Sequence, residues 1–542
     1  MRKTKIIKSI ALFASVLAMF NAAAEDNFQK AYDSITGADI GKHVKEISSD
    51  RYMGRAPTGP GEKLTLDYLT KQFTELGFKP GNGDSFLQPV DLVEIIGNED
   101  QVLTIGGKEY KYRKDMVTGT SRTSEYEQLK NSELVFVGYG INAPEYDWND
   151  YEGLDMKGKT AVILVNDPGY ESGDPNLFQG TTMTYYGRWT YKYEEASRQG
   201  AAGAIIIHET APASYPWTVV ENSWTGPQYG LWKDDGNKGR VAVEGWIQLN
   251  VAKEIFTKAG LNFDKLKKQA MQKPMSVKLG KLTASVEVKS KVKKSVSNNF
   301  IATLPGDKAA DEHILYTAHW DHIGFDETKK GDQIYNGAHD NATGIGGLIE
   351  IAQAFAELKQ PLSRSVTMLA VTAEEQGLLG SRFYAENPII PLNKTVAAIN
   401  MDSLNILGKV KDISVNGLGK SELDDYLTTA AAKQSRTPVT GEHPSAGYYY
   451  RSDHFNFAKV GVPALYAGGG NEPVDEATAK YRKKMSLIVT GCYHQPCDKF
   501  RTSWDLSGAQ QDVQLFFDVG YNIANSEAWP KWSETAEFKR QK

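Results

Sequence analysis

Several segments in the C-terminal half of the chain share one layout, a short apolar run that gives way to an acid or a histidine. Ile314-Leu315-Tyr316-Thr317-Ala318 leads into His319, Trp320 and Asp321. Ser365 to Thr372 leads into Glu374 and Glu375, and Val396 to Met401 ends on Asp402. Apolar runs of this length suit strands covered on both faces. Helix-like segments stand between them, at Gly344 to Leu358 and Leu378 to Ala385. Alternating strands and helices predict an α/β fold, a mixed, mostly parallel sheet sandwiched by helices. In such sheets ligands gather where the strands end, which is where these acids and histidines fall.

The residue types carry a definite chemistry. Two neutral imidazoles with three carboxylates are what a pair of zinc-like ions needs when one oxygen ligand is shared. His319 is expected as a metal ligand, with Asp321 two residues on accepting its other ring proton and so fixing the tautomer. Asp340 lies in the Gly-rich loop Asn336 to Gly344, and its two oxygens suit a bridge between two cations. Glu374 and Glu375 are neighbours in an extended segment and point different ways. One of them, Glu375, is expected on metal, while Glu374 stays free as general base. Asp402 completes one set and His494 the other. Tyr493 carries a phenol suited to stabilising an oxyanion. His322 and His339 are read as neighbours of the site rather than ligands.

The N-terminus reads separately. Arg2, Lys3, Lys5 and Lys8 precede an apolar stretch from Ile10 to Phe20, and Ala22-Ala23-Ala24 closes it. This layout predicts a secretory signal over residues 1–24 and an exported protein, periplasmic or secreted. The stretch is short for a membrane span, so no membrane association is expected once the signal is removed. Its loss would take the net charge from −5 to −9. An acidic surface without a basic stripe argues against nucleic acid as a partner. The run Lys289 to Lys294 reads as a solvated face. Cys492 and Cys497 flank His494, and in an oxidising compartment they are expected to pair, the alternatives being thiol metal ligands or free thiols.

The 542 residues exceed one ordinary core, so more than one domain is expected. Residues 25–48 read as helical, and Glu62 to Leu76 carries an apolar stripe at helical spacing. Short strands follow over residues 86–125. From about Glu133, Leu134 to Val137 and Thr160 to Val165 look like strands buried on both faces, with a helix near Tyr193 to Gln199 leading to Gly203 to Ile207. Gly138-Tyr139-Gly140 lacks the third glycine and the helix of a dinucleotide loop. VGYGI, YEGLDMKGKTAVIL and ASRQGAAGAIIIH resemble the protease-associated domain, a β-rich module inserted into exported peptidases. The expected division is an N-terminal peptidase part at 25–130, a protease-associated insertion at 131–290 and a catalytic part at 291–542.

The acids and histidines, with HVKEISSDRYMGR and GPGEKLTLDYL near the start, resemble the M28 family of zinc peptidases. The resemblance implies two zinc ions per chain, one held by His319 and Asp402, the other by Glu375 and His494, with Asp340 bridging. It also implies a cis bond at Asp340-Asn341 and places Ser452-Asp453-His454 near the cleft. His339 stands where the family often has an acid. The expected activity is an aminopeptidase acting on peptides with a free N-terminus. A glutamate-preferring carboxypeptidase is the main rival and would call on cations such as Arg451 or Arg382. A glutaminyl cyclase usually needs a single zinc, and an inactive receptor-like relative should have lost ligands or base.

Overall fold

The computed structural model describes residues 25–441 and 444–540, so the expected signal at 1–24 lies outside the described residues. No helix among the described residues is long and apolar enough to cross a membrane. The described residues divide into two compact units, one of residues 25–90, 297–441 and 452–540, the other of residues 91–296 and 444–451.

The first unit is built on a mixed sheet. Its strands are the C-terminal part of β1 (Val277–Leu304), β2 (Ala309–His319), β3 (Arg364–Val371), β4 (Thr395–Asn400), β5 (Asp412–Asn416), β6 (Thr437–Thr440) and β7 (Ala464–Gly468). Across the sheet they run β1, β3, β2, β4, β7, β5, β6. The pairs among β3, β2, β4 and β7 are all parallel. Every residue of β3 and β4 is buried, the mark of parallel strands covered on both faces.

Alternation along β2 shows the two faces. Ile314, Tyr316 and Ala318 join a large core with α1 (Gly37–Ile47), α2 (Pro60–Glu75), α3 (Thr343–Glu357) and α4 (Ser507–Ala524). Leu315 instead packs on the other side with Tyr384, Phe457 and Val462. α3 is buried almost all round because α1 and α4 both lie against it. With helices on either side, the free ends of the central strands become the place where polar side chains can collect.

The second unit has its own sheet. Tyr126–Phe136, Thr160–Leu164, Gly203–His208 and Val243–Gln248 run parallel as its centre. Met116–Gly119 pairs antiparallel with Val243–Gln248, while Val102–Ile105 pairs with the N-terminal half of β1. These pairings draw residues 91–130 into the second unit, although the division expected from sequence put them with the first. The segment 444–451 also clusters here rather than with its chain neighbours. Met183 N–H donates to Pro444 O at 3.1 Å, and Tyr185 and Tyr450 stand ring to ring at 6.1 Å.

Candidate metal centre

Adjacent parallel strands deliver the polar cluster. His319 is the last residue of β2, Glu374 and Glu375 follow β3, and Asp402 follows β4. Asp340 sits in the loop before α3, and His494 follows the helix Glu476–Cys492. The turn after β3 is tight: Gly377 and Leu378 N–H groups both donate to Glu374 O at 2.8 Å, and Gly380 N–H to Thr372 O at 2.9 Å. A Cβ on Gly380 would lie 2.2 Å from that carbonyl, so only glycine closes the turn. The Asp340-Asn341 bond is cis. Cys492 and Cys497 form a disulfide around His494.

The side chains converge. His319 Nε2 lies 3.2 Å from Asp340 Oδ1, 3.5 Å from Asp402 Oδ1 and 3.9 Å from Glu374 Oε2. His494 Nε2 lies 3.2 Å from Asp340 Oδ2 and 3.0 Å from Glu375 Oε2. Asp340 therefore offers one oxygen to each imidazole, the placement of a shared ligand. Among the described residues, two groups bring their donor atoms close enough together to hold a metal ion: His319, Glu374 and Asp402, and His322, Asp340 and Glu375. His319 Nε2 is fully buried yet meets no hydrogen-bond partner in good geometry. A buried nitrogen lone pair ringed by carboxylate oxygens suits a divalent cation.

Asp321 acts otherwise than sequence suggests. His319 Nδ1 meets the main-chain carbonyl of Asp321 at 3.1 Å, while the Asp321 carboxylate stands 3.8 Å off. That carboxylate instead accepts the N–H groups of Glu374 at 3.1 Å and Glu375 at 3.4 Å. Residue 321 still sets the tautomer, through its backbone, and its side chain ties the glutamate pair to the end of β2. A buried carboxylate so placed is pushed up to about 7, chiefly by desolvation.

The carboxylates dominate the electrostatics. Burial alone would lower His319, but Glu374, Asp340 and Asp402 outweigh it and hold the imidazole well above its usual value. Burial likewise pulls His494 down, yet Asp340 and Glu375 raise it to about 10. Glu374 goes the other way: desolvation, then Asp402, Asp453 and Glu375, push it well up. Bound divalent ions would oppose that rise and favour the ionised carboxylates.

Arg55, Asp498 and Tyr466 support the site without a sequence signal of their own, beside Ser452, which the family resemblance places near the cleft. Arg55 is wholly buried. Its Nε donates to Trp320 O at 2.9 Å, Nη1 to Ile47 O and Asn336 O at 2.9 and 2.6 Å, and Nη2 to Gly337 O at 2.7 Å. One guanidinium thus fastens the His319 strand end to the Asp340 loop. Desolvation pulls it down to about 10 against the pull of Asp498, Asp321, Asp340 and Glu375. Asp498 accepts the N–H groups of His339 and Asp340 at 3.0 and 3.1 Å. Ser452 Oγ donates to Asp402 Oδ2 at 2.7 Å. Tyr466, on β7, stacks on His454, and its phenol is raised by burial and by Asp402, Glu374 and Asp340.

Other sequence candidates fall variously. Tyr493 stacks on His494 with centroids 3.9 Å apart, 59% exposed, and its phenol is raised by desolvation and by Asp340 and Glu375. His339 turns to Leu404 O at 3.1 Å and joins neither metal-holding group. Arg382 pairs with Glu386 along its own helix at 2.9 Å, and Arg451 donates to Ala446 O at 2.7 Å.

Residues 299–517, which hold all these ligands, match the model of peptidase family M28. The matched stretch is of the M28 peptidase family. The chain is 28% identical to aminopeptidase Y of Saccharomyces cerevisiae over 180 residues, 31% of this chain and 30% of that one. It therefore spans less than a third of that relative's length. It is 26% identical to leucine aminopeptidase 2 of Trichophyton rubrum over 451 residues, 81% of this chain and 74% of that protein. The solved aminopeptidase from Aneurinibacillus sp. strain AM-1 shares the fold at a TM-score of 0.50 and 18% identity, covering 95% of this chain and 100% of that one.

Proposed function

We propose that this M28 peptidase is an exported dinuclear zinc aminopeptidase that removes the first residue from peptides with a free N-terminus. The observation that carries the reading is Asp340 set between two imidazoles, with one oxygen 3.2 Å from His319 Nε2 and the other 3.2 Å from His494 Nε2. His319 and Asp402 would hold one zinc ion, Glu375 and His494 the other, and Asp340 would belong to both. The ions when bound supply the Lewis acidity that activates water and polarises the scissile carbonyl.

The chain's own residues do the rest. Glu374 accepts the proton of the attacking water at a carboxylate oxygen and passes it to the nitrogen of the leaving amine. Its enclosure within the cluster keeps that proton from escaping to solvent. Tyr493 donates its phenolic hydrogen to the oxygen that becomes negative as the carbonyl is attacked. Arg55, Asp498 and Ser452 keep the ligand loops in register, so the acceptor carboxylates need not reorganise during the reaction. The protease-associated resemblance over 131–290 supports an inserted second unit of the kind found in exported peptidases. The basic, apolar and small-residue layout of residues 1–24 supports export.

Purified, zinc-loaded protein tested on peptides with free or blocked termini checks this reading. Release of the first residue only from free N-termini, abolished by a chelator and restored by zinc, is expected. Cleavage that instead requires a free C-terminus would favour the carboxypeptidase, and chelator-insensitive cleavage would overturn the metal reading.

A further inference from the structure

The structure places a third imidazole in the cluster. His322 is fully buried beside Glu375, and its Nδ1 is in contact with Glu375 Oε1. Its ring centroid lies 5.7 Å from that of His494. It forms a metal-holding group with Asp340 and Glu375, whose oxygens also face His494. Nε2 of the same ring is buried with no hydrogen-bond partner.

The ring is held in place from behind. A Cβ on Gly337 would sit 2.5 Å from His322 Cγ, and Gly337 itself adopts φ 55°. The glycine is needed both for its conformation and for the ring's approach. Gly337 O is fixed by Arg55 Nη2 at 2.7 Å, and the His322 N–H donates to Arg55 O at 3.2 Å. Burying an imidazole with one nitrogen unpaired is unfavourable unless something at the other nitrogen compensates. Within this chain the partner at Nδ1 is Glu375, the carboxylate assigned above to the second cation.

We propose that His322 is a further protein ligand of the second cation, joining Asp340, Glu375 and His494. The proposal rests on the dinuclear reading above and goes beyond its ligand set. It makes the two ions unequal. The first keeps an open position among His319, Asp402 and Asp340, as a catalytic ion needs, while the second is enclosed by protein donors and exchanges more slowly.

Zinc titration of metal-free wild type, His322→Ala, His322→Gln and the double variant His322→Gln/His494→Ala tests this, with Co(II) absorption spectra as a second readout. Wild type should bind two equivalents. Both single substitutions should keep one equivalent unchanged and weaken the other by more than about a hundredfold, beyond the 10–100-fold typical of an outer hydrogen-bond partner. The cobalt spectrum of the weakened equivalent should change in both. The double variant should still bind one equivalent tightly, because both substitutions strip the same ion. Wild-type affinity restored by glutamine but not alanine would reduce His322 to a hydrogen-bond partner of Glu375 and overturn the proposal. Loss of both equivalents in the double variant would overturn it too. A wild type that binds fewer than two equivalents would sink the dinuclear reading itself.

Discussion

Both compact units bury ionisable groups, but they treat them differently. In the second unit, Lys192 is wholly buried and donates to Asn166 O at 2.8 Å and Tyr186 O at 2.6 Å. Asp167 accepts from Thr184 Oγ1 at 2.8 Å and Gly169 N–H at 3.1 Å, and Asp150 accepts the N–H groups of Ile141 and Met275 at 3.0 and 3.1 Å. Each charge there meets a donor or acceptor of the chain. In the first unit the carboxylates of Asp340, Glu374, Glu375 and Asp402 crowd around imidazoles, and His319 Nε2 and His322 Nε2 are left without hydrogen bonds. Perturbed acidities occur in both places, with Asp167 pushed up to about 6 by burial and Asp321 to about 7. A shifted pKa therefore does not by itself distinguish a working site from a structural knot. The distinguishing feature is the convergence of several imidazole and carboxylate donor atoms on one place, with imidazole nitrogens left open among them.

The comparison can be broken most sharply at Glu374. Glu374→Gln should lower kcat by about 10²–10⁴-fold or more, while zinc content and melting temperature stay as in wild type. Asp167→Asn, the matching change in the second unit, should leave kcat unaltered. Steady-state kinetics with metal analysis of both variants checks this, and a near-normal rate in Glu374→Gln would remove it as the base.

Arg55 joins the two themes, a satisfied buried charge that serves the open cluster. Arg55→Met removes four donated hydrogen bonds to carbonyls and a positive charge that faces Asp498, Asp321 and Asp340. A loss of about 3–5 kcal/mol in unfolding free energy is expected, read by denaturant titration. A change below about 1 kcal/mol would show that water or a neighbour replaces it.

The smallest effect concerns pH. Desolvation raises Asp150 and Asp167 from 3.8 to about 6, so the stability their neutral forms give is present below 3.8 and is lost as pH climbs through about 6. Desolvation lowers Lys192 from 10.5 to about 7, so its contribution is present above 10.5 and is lost as pH falls through about 7. The second unit should therefore be least stable near pH 6 to 7, by something on the order of 1 kcal/mol. Hydrogen exchange of Thr160–Leu164 amides, corrected for intrinsic rate, should show this trough, and Asp167→Asn should flatten its acid side. A monotonic profile would contradict it.

Much of the first unit was legible because its information is local. An apolar run over Ser365 to Thr372 marks β3 almost to the residue, and Gly344 to Leu358 marks α3. Acids placed directly after such runs gave the cluster, since a strand end fixes where its next side chain stands. Contacts made by the main chain were not legible. Nothing in the residue type of Asp321 says that its carbonyl rather than its carboxylate meets His319. Arg55 lies far from the loops it fastens, and a lone arginine in a polar stretch gives no hint of burial. The extent of the second unit was hidden for a similar reason, because Met116–Gly119 belongs wherever Val243–Gln248 takes it, a pairing across more than a hundred residues. His322 was visible as a histidine near the site, but only its packing against Gly337 and Glu375 turns it toward a cation.

Native mass spectrometry of the zinc-reconstituted chain bears most directly on the claim that this cluster leaves valence open for two shared cations. Two zinc ions on wild type, and neither retained on Asp340→Asn under conditions that keep the wild type loaded, is the expected result. A wild type carrying fewer than two ions, or an Asp340→Asn chain that still holds both, would contradict it.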